Sequence, residues 1–142
     1  MGGRLDLDAG YREVEGRPVL AMRGRVRLDN NGGFIQLRLP LDPGGALFDA
    51  SGVAGLRVTA RALEPGAYYL HLRSEDTRRP WAYYRARLNL SREWETLELP
   101  WSDFEARSLD QALNPERLRS VALVTYGEAF EADLDVARIE WW

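Results

Sequence analysis

A chain of 142 residues with 45% hydrophobic residues, 29% charged residues and a net charge of -3 is expected to fold as one domain, residues 1–142, burying roughly 70% of its unfolded surface. There is no cysteine, one histidine (His71), and each of the 19 basic residues is an arginine. That excludes disulfides, thiolate nucleophiles, iron–sulfur and cysteine–zinc sites, multi-histidine metal centres and lysine-based covalent catalysis, and the acidic balance argues against a nucleic-acid partner.

The first eight residues carry neither an apolar secretory core nor an Arg/Ser-rich amphipathic pattern, so a cytoplasmic chain without membrane insertion is expected. From Leu20 to Leu28 apolar residues alternate with Arg23, Arg25 and Arg27, and from Phe34 to Leu41 Ile35, Leu37 and Leu39 alternate with Gln36 and Arg38. Period-2 alternation marks half-buried strands. The intervening Asp29-Asn30-Asn31-Gly32-Gly33 tolerates positive φ, so the two runs are read as a hairpin.

Further strands are predicted by the same rule. Leu56, Val58 and Ala60 face inward against Arg57, Thr59 and Arg61; Tyr68, Leu70 and Leu72 against Tyr69, His71 and Arg73; Ala82, Tyr84, Ala86 and Leu88 against Trp81, Tyr83, Arg85 and Arg87. Trp94 to Leu99 forms another strand, stopped by Pro100, which lacks a ladder donor. Irregular chain with at most one helical turn is expected around Ser102-Asp103-Phe104 and Asn114 to Leu118, and Val121 to Tyr126 and Ala132 to Trp141 complete eight or nine strands. Many short strands and no helical spacing predict an all-β protein, an antiparallel β-sandwich.

Several of these features occur together in one family. The Asp29 to Phe34 turn, Tyr69 to Arg73 followed by Tyr83-Tyr84, Trp94-Glu95-Thr96 running to Leu99-Pro100, and Ser102-Asp103-Phe104 appear in the order seen in the complex I intermediate-associated protein 30 family, which the chain resembles over nearly its whole length. The resemblance implies a jelly roll of galactose-binding-like type, similar in shape to several carbohydrate-binding modules, and, for mitochondrial members, a role in assembling respiratory complex I. The chain shows no mitochondrial targeting segment, which points to a bacterial relative. Met1-Gly2-Gly3 matches an internal position of relatives, so an open strand edge, or one covered by a second copy in a homodimer, is expected nearby.

The outward residues Gln36, Arg38, Tyr69, His71, Arg73, Tyr83 and Arg85 would share one sheet face if their strands are neighbours. Arginine forks suit carboxylates and aromatic rings suit sugars or peptide side chains. A wet sheet face with arginine stems lying over aromatics explains the same pattern without a ligand; the clustering of arginine with aromatics favours binding. Trp81, on the polar side of its predicted strand, is the stacking candidate, whereas Trp94, Trp101 and Trp141 read as core or core-edge. His71, without a second histidine or cysteine, reads as a hydrogen-bonding surface residue. A carboxylate pair such as Glu98 with Asp103 is the one acid–base arrangement available, and with 22 acidic residues a near pair decides nothing. The expectation is a non-catalytic binding domain with no catalytic residues, no cofactor and no metal. It would hold a protein partner, such as a respiratory complex subunit, on the Arg/aromatic face; a glycan bound to that face is the alternative.

Overall fold

The structure, a computed structural model, describes the backbone of residues 4–14, 17–27, 33–41, 44, 46–79, 81–127 and 130–142, and the side chains of 19–23, 41, 44, 46–79, 81–125 and 132–142. Among the described residues ten strands follow in chain order: β1 Arg4–Val14, β2 Arg17–Arg27, β3 Gly33–Pro40, β4 Gly55–Ala62, β5 Tyr68–Ser74, β6 Tyr83–Leu88, β7 Glu95–Pro100, β8 Glu105–Arg107, β9 Leu118–Gly127 and β10 Phe130–Trp141. They form two antiparallel sheets, β1-β2-β10-β4-β7 (sheet A) and β3-β9-β5-β6-β8 (sheet B). Between the sheets lie Met22, Leu56, Val58, Leu134 and Val136 from one side and Tyr68, Leu70, Leu72, Tyr84, Leu88 and Leu123 from the other. The result is a β-sandwich jelly roll, its core built from the inward half of each alternating pattern.

The one helical content among the described residues is two 3-10 turns, Trp101–Asp103 and Pro115–Arg117, where irregular chain was predicted. The second is capped by the Asn114 side chain, which accepts from the Glu116 N–H at 3.0 Å, the usual use of asparagine before a helical turn. No helix among the described residues is long and apolar enough to cross a membrane.

The predicted hairpin between β2 and β3 is not a ladder. β2 pairs with β1 on one side and β10 on the other, so neither of its edges is open to β3, which crosses to sheet B and pairs with β9. Alternation tells which side of a strand faces the core and says nothing about its neighbour. Of the predicted turn, Asp29 to Gly33, residues 29–32 lie outside the described residues, and Gly33 is the first residue of β3. β1, one edge of sheet A, and the three-residue β8 were not assigned from sequence.

Candidate functional site

The outer faces of the two sheets differ in kind. On sheet A, Asp135 is fully buried although charged, because Arg61 on β4 reaches one of its oxygens at 3.0 Å and Arg23 on β2 the other at 3.7 Å. Arg23 also bonds Asp133 at 2.9 Å, and Arg57 bonds Glu98 at 2.7 Å. Each arginine here meets a carboxylate on an adjacent strand, the cross-strand pairing that stabilises a sheet. Glu98 is engaged in this way with Arg57 across the β4–β7 pair. The described part of this face complements itself.

Sheet B carries the predicted cluster. Register places Arg38, Ala122, His71, Arg85 and Glu105 in one row across all five strands, and Gln36, Val124, Tyr69 and Arg87 in the next. Gln36 and Arg38 therefore occupy the expected rows; their side chains lie outside the described residues. On β9 the outward residues Ser120, Ala122 and Val124 are small and buried, so the long side chains of β5 and β6 stand beside a low strip.

Two stacks dominate the described part of this face. The Tyr69 ring is covered by two guanidinium groups, Arg85 at 5.0 Å and Arg87 at 5.5 Å from its centroid, and His71 stacks on Tyr83 with centroids 4.2 Å apart. Beneath these neighbours His71 is 8% exposed, not the surface histidine expected; packing by Tyr83 overrides its outward register. Burial, aided by the Arg85 charge, lowers its pKa to about 4, so it is neutral at physiological pH and serves as a flat packing surface. Glu105 is the single carboxylate in the described rows and is shared by Arg85 at 3.6 Å and Arg107 at 3.3 Å.

Arg73 does different work from that predicted. Its guanidinium donates to the carbonyl oxygens of Thr77 at 2.8 Å and Arg79 at 3.0 Å, bracing the loop that follows β5. Trp81 is carried on that loop and not on β6. The Ala82 N–H bonds the Arg79 carbonyl at 3.0 Å, closing a turn that takes Trp81 off the sheet and leaves it 60% exposed. Of the three tryptophans expected at the core, Trp101 is: it packs against the cluster and donates from Nε1 to the Val53 carbonyl at 3.0 Å. Trp94 and Trp141 are each 37% exposed, the first under the Arg61 guanidinium at 4.6 Å and the second stacked on Phe48 at 4.8 Å, because both lie at strand ends where the sandwich opens.

Arg87 and Arg107 join the face without having been selected from sequence. Arg87 is already on the outward side of the alternation that holds Tyr83 and Arg85, and only its choice as a site residue was missing; Arg107 sits in a strand too short to show a period. Among the described residues no group of three or more histidine, aspartate or glutamate side chains is arranged to hold a metal ion.

The family model for complex I intermediate-associated protein 30 matches residues 1–136. The chain belongs to this family. No curated protein matches it in sequence. Among solved structures, this family member is similar to the family 11 carbohydrate-binding module of the cellulosomal cellulase Lic26A-Cel5E of Clostridium thermocellum, with a TM-score of 0.76 and 14% identity over 96% of this chain and 81% of that one. The same family 11 module in complex with a β-1,3-1,4-mixed-linked tetrasaccharide gives a TM-score of 0.74 at 14% identity, covering 96% and 82%. A family 30 carbohydrate-binding module gives 0.70 at 14% identity, covering 99% and 91%. At this identity the likeness establishes the fold alone, and it agrees with the β-sandwich jelly roll described above.

Proposed function

We propose that this chain is a non-catalytic binding domain that holds an acidic protein partner on the outer face of sheet B. The family supports an intermediate of respiratory complex I as that partner. The observation that carries the reading is the charge composition of the described part of the face: Arg85, Arg87 and Arg107 share it with one carboxylate, Glu105, whereas on sheet A the described arginines Arg23, Arg57 and Arg61 each meet an aspartate or glutamate on a neighbouring strand. An acidic side chain docked beside Arg87 gains a charge-assisted hydrogen bond and completes the balance.

A glycan on the same face is the second reading, favoured by the fold shared with carbohydrate-binding modules. It is less well supported, because two guanidinium groups already lie against the Tyr69 ring and His71 occupies one face of Tyr83.

The test is co-isolation of the protein with solubilised complex I assembly intermediates, comparing wild type with Arg87→Glu combined with Arg107→Glu. Loss of the intermediates from the variant, and weakening of the wild-type complex as salt rises from about 50 to about 300 mM, are expected. Unchanged co-isolation would overturn the reading. A neutral oligosaccharide whose binding is lost with the same two substitutions would favour the glycan reading instead.

A further inference from the structure

The loops at one end of sheet B enclose a cleft of about 520 Å³ lined by Asp76, Arg78, Arg79, Ala82, Ser108, Leu109, Asp110 and Gln111. Its size falls in the range of roughly 300–1,000 Å³ common to small-molecule sites. One wall, built from Asp76, Arg78, Arg79 and Ala82, is held by the two Arg73 hydrogen bonds and by Thr77, whose hydroxyl donates to the Ser74 carbonyl at 2.8 Å. The other, residues 108–111, is held by the Tyr84 hydroxyl, which donates to the Gln111 carbonyl at 3.1 Å, and by Leu109 packed on the core. Ser108 has φ 64, the left-handed region that a residue with a Cβ seldom occupies. Both walls are thus fixed from beneath, and the side chains above are presented in place.

The chemistry of the lining selects its ligand. Asp76 and Asp110 cancel Arg78 and Arg79 in charge, so an ion gains little from the cleft as a whole. What is left is a dense set of acceptors and donors (carboxylates, guanidiniums, a Gln111 amide and a Ser108 hydroxyl) beside the apolar Leu109 and Ala82. Trp81 is not one of the lining residues but neighbours the cleft: it precedes Ala82 in sequence, is 60% exposed, and its ring lies 6.0 Å from the guanidinium of the lining residue Arg79. A ring with hydroxyls on its edge and C–H groups on its face matches this combination: the hydroxyls pair with the polar residues and the C–H face lies on the indole.

We infer that this cleft is a binding site for a short neutral oligosaccharide, separate from the arginine face of sheet B, with Asp110 and Gln111 as hydrogen-bonding residues and Trp81 as the stacking residue. It stands whether or not the arginine face binds a protein.

Calorimetric titration with neutral β-linked tetrasaccharides of glucose, galactose and mannose, at about 50 and about 500 mM salt, tests it. Saturable binding of at least one is expected, unchanged by salt, reduced at least about tenfold by Trp81→Ala and by Asp110→Asn, and unaffected by Arg87→Ala. Amide resonances of residues 76–79, 81–82 and 108–111 should move with the bound sugar in the wild-type protein, which provides a readout even if a variant folds poorly. No binding of any of the three, binding lost with Arg87→Ala, or tight binding only of a uronic-acid tetrasaccharide that disappears in high salt would each overturn the inference.

Discussion

His71 stacks on Tyr83 with an interplanar angle of 11°, and its imidazole stays neutral because burial and the nearby Arg85 charge lower its pKa to about 4. In the unfolded chain the same group titrates near its ordinary value of 6.5. Between these values the unfolded state binds the proton and the folded state does not. The contribution to stability is therefore whole above about pH 6.5, falls as pH drops through that range, and levels off below about pH 4, a loss of up to about 3 kcal/mol. Denaturation of wild type and His71→Phe across pH 4 to 7 checks this. The variant should keep the stack and lose that part of the slope; parallel curves would place the imidazole in water.

Tyr68 links the two sheets. From β5 its buried hydroxyl donates to the Glu64 carbonyl at 2.7 Å and accepts the N–H of Asp133, on β10, at 3.0 Å, while burial pushes its pKa up. Tyr68→Phe keeps the ring and leaves the Asp133 N–H without its acceptor, so a loss of about 1–3 kcal/mol is expected. A denaturant midpoint equal to wild type would mean that another acceptor takes over.

Gly55 and Gly52 make a contrasting pair. A Cβ at Gly55 would fall on the Leu99 carbonyl and 2.7 Å from the Pro100 Cα, whereas one at Gly52 meets nothing within 4 Å. Because the obstacle at Gly55 is the backbone of β7, the neighbour cannot rotate away. Gly55→Ala should cost about 1–3 kcal/mol or more, and Gly52→Ala should stay within about 0.5 kcal/mol. Thermal melting of the two variants side by side is the measurement.

Arg73→Ala removes two donors from the carbonyls of Thr77 and Arg79. Local loosening is expected: faster amide exchange over 77–82 and a shifted Trp81 emission, with a global loss of about 1–2 kcal/mol. Wild-type exchange rates in that loop would show that the guanidinium is not its brace.

The alternation of β4, β5 and β6 was readable because each strand has one dry and one wet side, and the faces assigned to Leu56, Val58, Ala60, Tyr68, Leu70 and Leu72 are those observed. Strand partners were not readable. Nothing in Leu20 to Leu41 says that both edges of β2 are already taken, since ladder hydrogen bonds are made by backbone groups common to all residues. Which residues of β5 and β6 point outward followed from alternation, yet their rows and roles did not: Arg73 is turned to its own loop and His71 is stacked on Tyr83, which stands on the neighbouring strand. The cleft was invisible because it is built from two loops brought together only by the pairing of β6 with β8.

The two side chains that fasten these loops, Arg73 and Tyr84, belong to strands and grip backbone carbonyls, not side chains. A carbonyl is present whatever the residue. The identities at positions 76, 78, 79, 110 and 111 can therefore be exchanged while the fastening stays the same, which makes this end of the sandwich suited to randomised libraries, with recognition altered independently of the core that supports it.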